Sequence, residues 1–129
     1  MKIESPFFMA KQKIILVEDT DFLRWMLVSY LSEDFEVFEA EDGEKGFAAF
    51  KKNPDAVLLV TDNQMPKMFG DELIRRIRIE RPEFPTILMS STEEIPNHQA
   101  TIFIKKVGGF QKKLKETVIV LLARPSPAH

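Results

Sequence analysis

Three short, almost unbroken apolar runs most constrain what this chain can fold into: KIILVED (13–19), AVLLVT (56–61) and TILMSS (86–91). Strands with one wet face alternate apolar and polar residues, whereas strands covered on both faces read as continuous apolar stretches. Each run is too short for a helix and far short of the roughly 20 residues needed to cross a membrane. Two further segments, FEVFEA (35–40) and TIFIKK (101–106), read as flanking strands.

Helical periodicity fills the intervals. Phe22, Leu23, Met26, Leu27, Tyr30 and Leu31 recur at helical spacing after a Thr20 or Asp21 cap. The stretch 42–53 presents Phe47, Ala48 and Phe50 and stops at Asn53-Pro54, and 71–80 turns Leu73, Ile74 and Ile77 inward before Arg81-Pro82. Phe110, Leu114, Val118, Leu121 and Leu122 mark a last amphipathic helix. Strands alternating with helices across short connections predict an α/β domain with a parallel sheet. The best arrangement is a flavodoxin-like, doubly wound sheet of five strands in the order 2-1-3-4-5, with ligands expected at the strands' carboxyl ends.

The chain of 129 residues holds one core, expected over 12–124, with a leader at 1–11 and a tail at 125–129. A net charge of -2 gives no basis for gripping nucleic acid or an anionic membrane. The opening segment is a poor signal peptide because Glu4 and Pro6 interrupt its apolar part. With no cysteine, disulfides and thiolate metal sites are excluded, and the cytoplasm is the expected compartment. Two histidines, His98 and His129, are too few for a zinc cluster.

In that strand order the first and third strands are neighbours, so Glu18 and Asp19 converge on Asp62. Three carboxylates on one rim repel one another unless something relieves them. Two reliefs suit the chemistry: a hard divalent cation held by oxygens, magnesium above all, or a lysine reaching in. Strand four delivers Ser90 and Ser91 to the same rim and strand five delivers Lys105 and Lys106. A hydroxyl and an ammonium beside a carboxylate cluster form a receptacle for a tetrahedral anion such as a phosphoryl group. Singly, each residue reads as a solvated loop acid, a turn serine or a lysine tip. Together they point to a site.

ILVED (15–19), VTDNQMPKMFGDEL (60–73), PTILMSS (85–91) and FIKK (103–106) resemble the motifs of the receiver domain of two-component response regulators, of the chemotaxis-type single-domain kind. The most specific piece is Asp62-x-x-Met65-Pro66-x-x-x-Gly70 after an apolar strand. The resemblance implies that Asp62 is the phosphoacceptor, taking a phosphoryl group from a sensor histidine kinase or a phosphotransfer protein. It implies Mg²⁺, for which Mn²⁺ can substitute, held by Asp19, Asp62, the main-chain carbonyl of Gln64 and, through water, Glu18. Lys106 would pair with Asp62 or the phosphoryl oxygens and Ser90 would hydrogen-bond the phosphoryl group. Phe103, three residues before Lys106, would be the aromatic switch residue. Met65, Pro66 and Gly70 would shape the loop. The output would be contact with a downstream protein rather than enzymatic turnover.

Two departures from that pattern carry expectations of their own. Val107 stands where the family usually has proline, so a trans peptide is expected there, with Gly108-Gly109 supplying flexibility. TEEIPNHQATI is shorter than the family's fourth helix and Pro96 interrupts it, so a shortened or irregular helix is expected. Arg75, Arg76, Arg78, Arg81, Lys112, Lys113 and Lys115 read most simply as solvated faces, and Trp25 as packing. The chain ends soon after its last helix, which suggests a stand-alone receiver, the alternative being a piece of a hybrid kinase or longer regulator. Two rival readings are a non-phosphorylated pseudo-receiver that only binds partners, and a haloacid-dehalogenase-like phosphatase using Asp19-Thr20-Asp21.

Overall fold

The computed structural model describes residues 10–123. Most of the expected leader, Arg124 and the 125–129 tail lie outside the described residues. In chain order the elements are β1 (Lys13–Val17), α1 (Asp21–Leu31), β2 (Glu36–Ala40), α2 (Gly43–Lys52), β3 (Leu58–Asp62), α3 (Gly70–Glu80), β4 (Thr86–Ser90), β5 (Ile102–Lys105) and α4 (Phe110–Leu122). The sheet is parallel throughout, in the order β2-β1-β3-β4-β5. This is the flavodoxin-like arrangement expected from the apolar runs.

The side-chain alternation of the central strands divides the interior into two cores. Ile15, Val17, Leu59 and Leu88 face α2 and α3, meeting Phe50, Leu73, Ile74 and Ile77. Ile14, Leu16, Leu58, Val60, Ile87, Met89 and Ile104 face α1 and α4, meeting Leu27, Leu31, Leu114 and Val118. Every residue of β3 and β4 is buried, which explains why neither strand carries a polar face in sequence. No helix of the described residues is long and apolar enough to cross a membrane.

Between β4 and β5 the expected shortened fourth helix is reduced to bends and one turn, with no helical residue from Ser91 to Thr101. The turn uses Pro96 and Asn97, and Asn97 takes a φ of 59°, a left-handed conformation asparagine tolerates. Arg78 of α3 holds this segment down. Its guanidinium donates to the Gln99 carbonyl at 2.9 Å, to Thr86 Oγ1 at 3.1 Å and to Thr101 Oγ1 at 3.2 Å, and also to the Phe84 carbonyl. Thr86 and Thr101 bond one another reciprocally, each backbone N–H donating to the other's hydroxyl at 3.0 and 3.1 Å. Ile95 and Ala100 pack on the α3-side core where a helix would otherwise lie. Arg78 is therefore a structural ligand of the loop, not a solvated charge.

Other side chains also depart from expectation. Phe22 and Trp25 are 72% and 64% exposed and lie against each other on the outside of α1. Ala48 is exposed, its place in the packing taken by Ala49. Lys115 is held by Glu33 and Asp34 and sits over the Tyr30 ring at 4.6 Å.

Candidate functional site

The register of the sheet brings the acids together. Val17 pairs with Thr61, so the next residues along, Glu18 and Asp62, leave adjacent strand ends side by side. Oxygens of Glu18, Asp19 and Asp62 all lie within 4.8 Å of one another. Glu18 is fully buried, Asp62 nearly so, and Asp19 is half-buried.

Lys106 closes the cluster. Its Nζ donates to Asp62 Oδ1 at 3.0 Å and to Glu18 Oε1 at 3.2 Å. Lys105, one residue earlier, points elsewhere and pairs with Glu93 at 2.5 Å. The choice between the two lysines follows from strand alternation, because Phe103 and Lys105 share one face and Ile104 and Lys106 the other. The Lys106 backbone N–H continues the ladder onto the Ser90 carbonyl at 2.7 Å, which fixes where the side chain starts.

The electrostatics show a cluster under strain. Burial raises the pKa of Glu18, with Asp62 adding to the rise and Thr20 and Lys106 opposing it. Burial likewise raises Asp62, and the neighbouring Lys106 only partly offsets this. For Lys106 burial is the largest influence and pulls downward, yet Asp62 and Glu18 together outweigh it and its pKa ends above the ordinary value. One ammonium does not neutralise three carboxylates. The all-oxygen donor set, close-packed and partly open on the Asp19 side, fits a hard divalent cation that retains some of its water.

The loop after Asp62 is tied at both ends. Asn63 accepts the Gly70 N–H through its carbonyl at 2.8 Å and the Asp71 N–H through Oδ1 at 3.0 Å, joining the end of β3 to the start of α3. Met65 and Met68 insert into the α3-side core, while Gln64, Pro66 and Lys67 lie at the surface. Between them the chain reverses tightly. Lys67 adopts a φ of 72° and the Met68 N–H reaches the Pro66 carbonyl at 2.7 Å.

Gly70 is required for space rather than for an unusual turn. A Cβ there would stand 2.1 Å from the Asp62 carbonyl oxygen, and Gly70 is not among the glycines of positive φ. The loop also rests against α2, where a Cβ on Gly43 would meet the Met68 carbonyl oxygen at 2.4 Å.

Ser90 is buried at the end of β4, beside the rim. Its Oγ accepts the Thr92 N–H at 3.1 Å and shares a hydrogen bond with Thr92 Oγ1 at 2.8 Å, closing the turn that begins the β4–β5 loop. Phe103 is half-buried and stacks on His98 of that loop, ring centroids 5.8 Å apart. No peptide bond among the described residues is cis, so Lys106–Val107 is trans as expected. Of the two glycines that follow, only Gly109 takes a left-handed conformation, at a φ of 81°.

Asn63, Met68 and Gly43 were not anticipated as parts of this region. Asn63 is a familiar capping residue, but its partner lies eight positions away, beyond the local spacing by which caps are read. Gly43 was legible only as half of an Asp-Gly pair at a helix start.

The model of the response regulator receiver domain matches residues 14–124. This chain belongs to the response regulator receiver domain family. It is a receiver domain of two-component signalling systems. Receiver domains are signalling domains, and the family generally binds Mg²⁺ and interacts with histidine kinases and other proteins.

Among its relatives, the sensor histidine kinase TmoS of Ectopseudomonas mendocina is 32% identical over 98% of this chain, although the match spans 12% of that protein. A CheY homologue of Campylobacter jejuni is 34% identical over 63% of this chain and 65% of its own. The response regulator protein TrrA of Thermotoga maritima, solved in complex with Mg²⁺-BeF, superposes with a TM-score of 0.78 at 28% identity, covering 86% of this receiver and 99% of TrrA.

Proposed function

We propose that this receiver is a phosphoacceptor, with Asp62 as the nucleophile that takes a phosphoryl group from the phosphohistidine of a sensor histidine kinase or a phosphotransfer protein. One observation carries the reading. A lysine Nζ stands 3.0 Å from Asp62 Oδ1 and 3.2 Å from Glu18 Oε1, inside a pocket of three converging carboxylates. Pockets built only to fold seldom concentrate like charge this way. The receiver unit is taken as 12–124.

In the reaction an oxygen of Asp62 attacks phosphorus, the bond from phosphorus to the donor's histidine nitrogen breaks, and an aspartyl phosphate remains. Asp19, Asp62, the Gln64 main-chain carbonyl and, through water, Glu18 would hold Mg²⁺, or Mn²⁺ in its place, which would supply positive charge to the phosphoryl oxygens. Lys106 meets the same need from the protein side. It holds the carboxylate before transfer and can follow the negative charge outward afterwards. Met65 and Met68 anchor the loop so that Asp62 is presented at a constant angle to a donor.

Where the Ser90 hydroxyl donates to Thr92 Oγ1, it exchanges that partner to hydrogen-bond the phosphoryl group. That exchange loosens the turn at the head of the 91–101 loop. Phe103, stacked on His98 of the same loop, is then the aromatic whose position changes. The loop and β5 are thus the surface on which a downstream protein would read the state of Asp62.

Incubation with acetyl phosphate and Mg²⁺ followed by intact-mass measurement tests the reading. The wild type should gain one phosphoryl group, and both Asp62→Asn and a chelator should abolish the gain. Wild-type protein that keeps its native circular dichroism yet stays unlabelled by small-molecule and kinase donors would instead be a binding module that has only the fold.

A further inference from the structure

We propose that Arg24 is a positioning residue for the metal pocket, pinning the turn that carries Glu18 and Asp19 and so setting the affinity for Mg²⁺. The inference rests on the metal pocket proposed above. Arg24 lies in the first turn of α1 with only 16% of its side chain exposed. Its guanidinium is used in three directions. Nη1 donates to the main-chain carbonyl of Glu18 at 2.8 Å, Nη2 to Asp21 at 2.7 Å, and Nε to Glu39 of β2 at 3.1 Å.

The Glu18 carbonyl belongs to the peptide linking Glu18 to Asp19. Holding that oxygen fixes the plane of the peptide, and with it the directions in which the two carboxylates leave the chain. Three contacts hold the turn. Arg24 takes its carbonyl, the Thr20 N–H donates back to Glu18 Oε2 at 3.1 Å, and the Glu18 N–H bonds the Ala40 carbonyl at 3.0 Å. Arg24 also reaches Glu39 of β2, so together with the Glu18–Ala40 bond it references the turn to the sheet.

Its contribution is positional. The main influences on Glu18 are burial, Asp62, Thr20 and Lys106, and those on Asp62 are burial, Lys106, Asn63 and Asp19. Three-way bonding also explains the residue type, because a planar guanidinium presents fixed donors along several directions whereas an ammonium is a compact point charge. Groups that orient metal ligands typically matter to affinity about tenfold or more when removed.

Calorimetric titration of Mg²⁺ into the wild type, Arg24→Gln, Arg24→Lys and Glu39→Gln tests this, alongside amide hydrogen exchange across residues 17–21. Arg24→Gln is expected to bind Mg²⁺ about tenfold more weakly, with faster exchange at Asp19 and Thr20. Arg24→Lys, which can still donate to the Glu18 carbonyl but not in all three directions, should recover only part of the affinity, and Glu39→Gln, whose amide oxygen can still accept from Nε, should be close to wild type. In acetyl phosphate labelling, Arg24→Gln should need more Mg²⁺ for half-maximal rate but reach a similar plateau. Wild-type affinity and unchanged exchange at Asp19 and Thr20 in Arg24→Gln would overturn the role given to Arg24. A wild type that binds no Mg²⁺ would instead overturn the metal pocket itself.

Discussion

At the scale of single residues, the site is a balance of buried charge, and its sign can be worked out. Asp62 and Glu18 both have pKa values raised by burial, so each holds its proton more tightly in the folded than in the unfolded chain. Such groups make stability fall as pH rises from the ordinary carboxylate range through the folded value. In chelator-treated protein at neutral pH, Asp62→Asn and Glu18→Gln should therefore melt higher than wild type, and the advantage should shrink as pH is lowered. A lower melting temperature for both variants at neutral pH would contradict this.

Gly70 offers a second test. A methyl group there meets the Asp62 carbonyl oxygen at 2.1 Å, a backbone atom that cannot step aside. Gly70→Ala should cost about 1–3 kcal/mol, as overpacking does, read as a fall in denaturant midpoint, and it should slow labelling of Asp62 in proportion to the shift of the loop. At this scale the sequence was informative about residue types and weak about pairings. Asp62, Glu18 and Asp19 were legible because three acids at two strand ends are hard to explain otherwise. Arg24 was not, because its main partner is a backbone oxygen that leaves no mark in sequence.

At the scale of elements, the β4–β5 connection separates this receiver from the pattern it resembles. A shortened or irregular helix could be read from Pro96 and from the shortness of the stretch, whereas its complete replacement by bends and one turn could not. Ile95 and Ala100 cover the exposed part of the core, and Arg78 reaches from α3 to bond Gln99, Thr86 and Thr101. As one of three arginines in α3, with a fourth just after it, Arg78 looked like surface. Its role depends on a loop 21 residues away arriving at the same place.

Arg78→Ala should leave buried Thr86 and the loop carbonyls short of a donor. A loss of about 1–3 kcal/mol is expected, with faster amide exchange at Ala100 and Thr101 and little change across α1. Uniform acceleration across the whole chain would mean that Arg78 supports the fold globally rather than this loop. Helix α1 shows the opposite error. Periodicity placed Phe22 among the packing residues and Trp25 was read as packing too, but only Leu27 and Leu31 are buried there. A helix lying along a sheet buries one stripe, and apolar residues one step off that stripe stay outside.

At the scale of the whole molecule, the site couples to folding through its ligand. A cation that binds the native pocket and not the unfolded chain stabilises by mass action, about 2.7 kcal/mol when its concentration is a hundred times its dissociation constant. Adding Mg²⁺ should accordingly raise the wild-type melting temperature in a concentration-dependent way, and a chelator should reverse it. Asp19→Asn should respond far less. A melting temperature indifferent to Mg²⁺ would argue against a native-state cation pocket.

Element order, the parallel sheet and the burial of its three central strands were written into the chain as apolar runs too short for helices and too continuous for surface strands. That information is local, since each run declares its own environment. The convergence of acids was one inference further, requiring only that β1 and β3 be neighbours. How Gly70 passes the Asp62 carbonyl, where Arg78 is used and what stands in for the missing helix were decided by contacts between segments distant in sequence. Such contacts depend on side-chain reach and strand register measured in ångströms, and a residue's type and its neighbours' types do not encode that distance.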